Sequence, residues 1–411
     1  MARVSANREN ISVFALIRNK YGLFTTHGLA LYASAAALAY ISGLTALLLR
    51  HIPVFQNDNC RDFVWIWLSS HFAASSIPFH VYDYSAFTAA KDALIGPPAC
   101  ILEHFDYPPT LLFFVLPLSL LPYTIAFIVW GAVTLAVYLT AIYVIIPHRN
   151  SLIVALTIFP VWFNMLLGHD AFLTAGFMGL ALAFAETRPR VAGLFLALLT
   201  YKPQFGILFP AALSVARYWR TLSAAVIASV IFAALAALAF GYETWPAFAH
   251  ALADRAAAIS EDHKLAAPLV SIPFLVSLGV NSQIVWTIQL VVSAVTAVIV
   301  CLIWARPYPY ALKAAALGIG SLLASPHVFR YDLCILTIGA AFFVRDGLSR
   351  GFLPGERWML VLCWAGFFLL PSAIPDLIAL ALLLLVIRRA IDCDRHAEGR
   401  RPELPMEPIT P

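Results

Sequence analysis

The sequence predicts an all-α, polytopic integral membrane protein, and three observations carry that prediction. Hydrophobic residues make up 62% of the chain and charged residues only 12%, where soluble domains run at about 45–50% and about 25%. The apolar residues gather into runs that recur from residue 28 to residue 388 with few charges inside them, and about 20 such residues suffice to cross a bilayer as a helix. The runs are unbroken, which excludes a membrane barrel, whose strands alternate in short segments. About 12 crossings with both termini inside account for the pattern.

The net charge of +4 says less than where the charges fall. Residues 1–27 carry Arg3, Arg8, Arg18 and Lys20 against Glu9 alone, a cytoplasmic flank by the positive-inside rule. The first span, about 28–49, then runs outward. It has the length of a complete span and no small-residue cleavage pattern, so it is not a cleavable signal. Residues 51–107 form a large first extracytoplasmic loop, with Asp58, Asp62, Asp83, Asp92, Glu103 and Asp106 against Arg61 and Lys91. From Pro108 to Ile146 the chain is too long for one helix and is broken at Pro117 and Pro122.

Spans are expected near 151–167, 170–187, 190–201, 204–217, 220–240, 283–305, 311–325, 330–344, 357–371 and 373–388. The short, proline-interrupted stretches 109–121 and 266–280 are taken to dip into the membrane or lie along it. The basic residues Arg149, Arg188, Arg190, Arg217, Arg220, Arg306, Lys313, Arg345, Arg350, Arg357 and those from Arg388 onward then all face the cytoplasm. Residues 241–265 become a second extracytoplasmic loop. The membrane domain spans 28–391, and the tail, 392–411, mixes charge with proline and is expected to be disordered.

This topology collects four polar groups on the outer face: the Asp62 loop, Gly168-His169-Asp170, Tyr201-Lys202-Pro203-Gln204, and the stretch from Ser325 to Asp332 that includes His327 and Arg330. Ionisable groups near membrane depth are costly unless paired or wet, so their convergence marks a functional face. Each also has a plain structural reading. Lys202 can snorkel, Asp62 and Asp170 can cap the helices that follow them, and Arg330 can pair with Asp332. Trp65 and Trp67 read as interface aromatics. Tyr107-Pro108-Pro109 is a rigid approach to the membrane.

Six cysteines are present and none lies at CxxC spacing, which argues against a zinc site. Cys60 and Cys100 are the pair on the outer side, and an oxidising compartment makes them candidates for a disulfide. No P-loop or dinucleotide fingerprint occurs, and nothing points to nucleic acid. No internal repeat is visible, which weakens a transporter built from inverted halves.

Taken together, Asp62-Phe63 with Trp67, Tyr82-Asp83, Tyr107-Pro108-Pro109, Gly168-His169-Asp170, Tyr201-Lys202-Pro203-Gln204 and Ser325-Pro326-His327 resemble the motifs of the family 87 glycosyltransferases. The likeness covers roughly residues 28 to 345. It departs at His169-Asp170, where that family usually shows Gln-Asn. The resemblance implies a polytopic fold of the GT-C class, similar to actinobacterial mannosyltransferases that use polyprenyl-phosphate-mannose. It further implies a bacterial plasma-membrane location, an extracytoplasmic active site and a loop aspartate as general base.

The expected activity is hexosyl or pentosyl transfer, mannosyl transfer included, from a polyprenyl-phosphate donor to a glycolipid or polysaccharide acceptor. Asp62 is the expected base. Lys202, Arg330 and His327 are the expected partners of the departing phosphate. Tyr107, His169 and Asp170 are left as acceptor-binding or structural. A single base working by direct displacement inverts the anomeric centre. No cofactor is expected, and a divalent metal is left open. The competing reading is a flippase or transporter of lipid-linked sugars, which would place polar groups at mid-membrane rather than at one face.

Overall fold

The computed structural model describes residues 62–94, 105–261, 269–369 and 374–398. The first span, Cys60, Cys100 and residues 399–411 lie outside these, and with them the proposed disulfide. Among the described residues the secondary structure is helical, with one isolated antiparallel bridge between Leu269 and Phe329.

The acidic loop is itself folded. Helix α1 (Phe63–Ala73) is followed by a 3₁₀ turn, Pro78–Tyr82, and by α2 (Tyr84–Leu94). Trp67 is buried and its indole N–H donates to the Leu121 carbonyl at 3.0 Å. Trp65 stacks on Phe87 with ring centroids 5.2 Å apart. These tryptophans tie α1 to its neighbours, and for buried Trp67 the expectation of an interface aromatic is corrected. Partners this close within the protein satisfy the ring and its N–H better than a headgroup layer.

Prolines set the next stretch. Pro109–Leu111 and Leu116–Leu120 are 3₁₀ turns on either side of a single α turn, as expected for an interrupted segment. The long helix α3 (Tyr123–Ile145) begins only after Pro122. Helices α4 (Arg149–Leu156) and α5 (Phe159–Leu167) replace the single expected span at 151–167, bent by 69° where Pro160 starts the second helix. Then come α6 (Ala171–Phe184), α7 (Pro189–Leu198), 3₁₀ turns at Leu199–Tyr201 and Pro203–Phe205, and the short α8 (Phe209–Val215).

Helix α9 (Trp219–Phe240) leads to α10 (Thr244–Glu261), which occupies most of the stretch expected to be a second loop. The alanines of 247–258 explain this: alanine loses least on entering a helix, so propensity outweighs the scattered charges. Helix α11 (Ser282–Ala305) is capped by Asn281, whose side chain accepts from the Gln283 and Ile284 backbone at 2.9 and 3.3 Å. The series ends with α12 (Tyr310–Ala324), α13 (Cys334–Arg350), α14 (Glu356–Leu369) and α15 (Ile374–Glu398). Helix α15 runs past residue 391 to Glu398, so residues 392–398 of the expected tail are helical.

Helices α6 and α12 form the centre: every residue of 171–182 and of 314–324 is buried. Small residues allow this closeness. A Cβ on Gly339 of α13 would stand 2.5 Å from Ile319 Cγ1 and 3.1 Å from the Ile319 backbone nitrogen, both on α12. The periphery has the opposite character. On α9, Val230 and Leu238 are exposed, and on α11 Leu290 and Val298 are too. Such faces are far larger than a water-soluble protein tolerates and fit contact with lipid. Helices α3, α9 and α11 are each long and apolar enough to cross a membrane, and the bent α4–α5 pair makes a fourth if counted as one span. Of the about 12 crossings expected, these are the ones that length and composition single out among the described residues.

Candidate active site

The outer-face motifs meet in space. Helix α5 ends at Gly168, whose φ of +70° is the left-handed cap that glycine adopts most readily. A Cβ there would lie 2.6 Å from the Phe127 ring and 2.8 Å from Phe63 Cβ. The bare glycine thus lets α1, which starts directly after Asp62, press against the 168–170 turn.

Asp170 precedes α6 but its side chain does not cap it. Its Oδ1 instead accepts from His169 Nδ1 at 2.7 Å and from Lys202 Nζ at 2.7 Å. Lys202 reaches its position because Pro203 breaks the chain between two 3₁₀ turns. Its Nζ also donates to Asp332 Oδ1 at 2.8 Å. The second Asp332 oxygen accepts the Phe329 N–H at 3.1 Å. Asp170, Lys202 and Asp332 are 0%, 3% and 1% exposed. Burial alone would lower the lysine's pKa, but the Asp170 and Asp332 charges outweigh it and hold it above the ordinary value. Lys202 is therefore a fixed cation between two carboxylates, and the snorkelling reading does not apply.

Aromatic rings enclose this triad. The His169 ring stacks on Tyr331 at 3.7 Å, and the Lys202 ammonium stands 5.2 Å from the Tyr331 centroid and 5.7 Å from that of Tyr107. The Tyr107 hydroxyl meets His169 Nε2 at 3.1 Å. The Tyr82 hydroxyl donates to the Tyr107 carbonyl at 2.8 Å, which joins the Tyr-Asp motif of the loop to its Tyr-Pro-Pro end.

Asp62 is half-buried at the start of α1, and its side chain makes no capping hydrogen bond. Its charge acts on both Tyr107 and Tyr331, so it borders the same cluster. Arg330 is exposed, on the turn that carries Asp332. Asp332 is paired with Lys202 rather than held as a local partner of Arg330. His327 packs edge-on against Phe329 at 4.8 Å. Burial, reinforced by the Lys202 and Arg255 charges, pushes its imidazole down to about 4, so it is neutral at pH 7.

Sequence reasoning passed over Arg255 and Asp106. Arg255, buried on α10, lies 3.5 Å from Asp106 beside Tyr107 and within electrostatic reach of His327. No motif flagged it, because a lone arginine in an alanine-rich helix carries no spacing signal. The segment after residue 268 also covers the site: Val270 N–H donates to Val328 at 2.8 Å and Ser271 Oγ to Pro326 at 2.6 Å. Among the described residues no group of three or more His, Cys, Asp or Glu is arranged to hold a metal ion.

Residues 105–326 match the family model of glycosyltransferase family 87. No curated protein and no solved structure matches the chain. The matched segment contains Tyr107, His169, Asp170, Lys202 and Arg255, while Asp62, His327, Arg330 and Asp332 flank it.

Proposed function

The chain belongs to glycosyltransferase family 87, and on that premise we propose that it transfers a sugar from a polyprenyl-phosphate donor to a glycolipid or polysaccharide acceptor, with inversion. The proposed site faces the extracytoplasmic side of a bacterial plasma membrane. One observation carries this reading. A half-buried carboxylate, Asp62, starts the helix whose Phe63 packs on Gly168, and its charge reaches Tyr107 and Tyr331 of a cluster drawn from three distant motifs.

In the proposed reaction the acceptor hydroxyl gives its proton to Asp62 as its oxygen bonds to the anomeric carbon. The bond from that carbon to the phosphate oxygen breaks, and the electron pair leaves with the phosphate. Arg330, exposed beside the cluster, is the cation best placed to meet that growing charge. Lys202 serves by neutralising Asp170 and Asp332 and so holding three segments together. His327, uncharged at pH 7, offers a hydrogen bond rather than a charge. The apolar flanks of α9 and α11 suit a donor held in lipid.

The test is reconstitution. The purified protein in liposomes, given farnesyl-phosphate-linked hexoses and pentoses with methyl glycosides or lipid extract as acceptor, should form a product of inverted configuration. Movement of the intact donor across the bilayer with no new glycosidic bond would overturn the proposal in favour of a flippase.

A further inference from the structure

One chain of hydrogen bonds in the cluster runs from a buried carboxylate to a phenol. A carboxylate that is paired with an ammonium only accepts, so the 2.7 Å contact from Asp170 places a proton on His169 Nδ1. With the single ring proton placed there, the other nitrogen accepts, and the Tyr107 hydroxyl donates to Nε2 at 3.1 Å. The Tyr107 oxygen is left with lone pairs alone for anything beyond it.

Exposure runs the same way as the bonds. Asp170 is 0% and His169 7% exposed, whereas Tyr107 is half-buried. Both ends of the contact are held in place. The His169 ring is clamped on Tyr331, and the Tyr107 backbone is tied by Tyr82 and followed by Pro108 and Pro109. Tyr107 also lies within electrostatic reach of Asp62.

We propose that the Tyr107 hydroxyl is an acceptor-only contact for one hydroxyl group of a bound sugar, its polarity set by Asp170 through His169. This rests on the glycosyl-transfer reading. A site built to bond a substrate hydroxyl discriminates strongly against the analogue that lacks it. His169 and Asp170 act here as positioning residues, and Tyr107 makes the contact.

The test has two arms, run on the full-length reconstituted protein. One uses mono-deoxy forms of the hexose on a farnesyl-phosphate donor, and the other mono-deoxy methyl hexosides as acceptor; the arm that responds says which sugar is held. The wild type should disfavour one deoxy sugar by at least about tenfold in kcat/KM. Tyr107→Phe should reduce that preference to within about twofold, and His169→Ala should do the same because the phenol can then rotate. His169→Gln should retain it, since an amide oxygen can still take the Tyr107 proton; a merely structural histidine would not be rescued this way. Tyr107→Phe removes one oxygen from a half-buried ring, so it keeps the test meaningful if His169→Ala does not fold. Full discrimination by Tyr107→Phe, or none by the wild type, overturns the inference. A wild type that turns over no sugar at all overturns the underlying function, and this inference with it.

Discussion

At one end of α13, Lys202 holds Asp170 and Asp332; at the other, Arg350 and Arg389 share Asp346 and Glu356. About 20 Å of helix separates Asp332 from Asp346. The carboxylates of both networks are buried, yet the two are built differently. In the second, two carboxylates meet two guanidiniums and every carboxylate oxygen is engaged. Asp346 takes bonds from Arg350 and Arg389 at 2.6–2.9 Å, and Glu356 takes Arg389 and the Leu353 N–H. Arg389 also donates to Gly351 at 2.8 Å. In the first, one lysine faces two carboxylates, and Asp170 Oδ2 has no hydrogen-bond partner among the described residues. It also leads outward, through His169 to half-buried Tyr107. A closed, balanced network joins α13, α14 and α15 and has nothing left to offer a ligand. An unbalanced one with a path to the surface has capacity in reserve, which is the mark of a site.

The comparison is tested most severely at Asp62. Asp62→Asn keeps size and shape but removes the base, so turnover should fall by about 10²–10⁴-fold with the melting temperature unchanged. Asp58→Asn, four residues earlier, should stay active. If Asp62→Asn turns over normally, the carboxylate beside the cluster is structural.

Next in size are the two central cations. Lys202→Met and Arg389→Met each strand buried carboxylates and should cost about 3–5 kcal/mol, read as a large drop in melting temperature in detergent. They should part company in activity. The folded fraction of Arg389→Met should turn over at the wild-type rate, while that of Lys202→Met should not. Equal losses per folded molecule would erase the distinction between the two networks.

Two glycines sharpen it further. Gly168 and Gly351 both have positive φ, +70° and +91°; alanine should cost about 1–2 kcal/mol in the left-handed position 168 and about 1–3 kcal/mol at 351, whose extended ψ only glycine adopts readily. Nothing stands within 4 Å of a Cβ at Gly351, whereas one at Gly168 collides with Phe63 and Phe127. Gly168→Ala should therefore also cut turnover by moving Asp62 away from the cluster, and Gly351→Ala should not. Kinetics normalised to folded protein would decide it, and equal turnover in the two variants would sink the claimed role of the Phe63–Gly168 contact.

The smallest expected effect is one of pH. The His327 imidazole lies near 4 in the folded protein against an ordinary 6.5, so between those values the unfolded chain binds more protons. Stability contributed by this residue is complete above about 6.5 and falls as pH drops toward 4, by roughly 1–3 kcal/mol. Thermal unfolding between pH 7 and 4.5 should show a shallower acid decline in His327→Gln than in the wild type. Parallel curves would mean that His327 is not held neutral.

Much of this was legible without coordinates, for physical reasons that can be named. Hydrophobic runs dictate helices in lipid whatever their partners are, so composition alone was enough for an all-helical chain with apolar spans. Prolines at 117, 122 and 203 act on their own backbone, so the breaks at 109–121 and at Lys202 could be read locally. The motifs carrying Tyr107, His169, Lys202 and His327 likewise announced themselves as polar residues in apolar surroundings. What each does was decided only by tertiary structure. Lys202 and Asp332 are 130 residues apart, and neither carries a sign of the other. A lysine read from its neighbours is a free cation; the same lysine packed between α6 and the turn before α13 is a neutralised strut. Asp170 looks like a helix cap until Lys202 arrives to claim its oxygen, and Arg255 has no local signal at all. Charge and hydropathy are properties of a residue and can be read along the chain, whereas pairing is a property of distance, and distance is set by how closely helices pack.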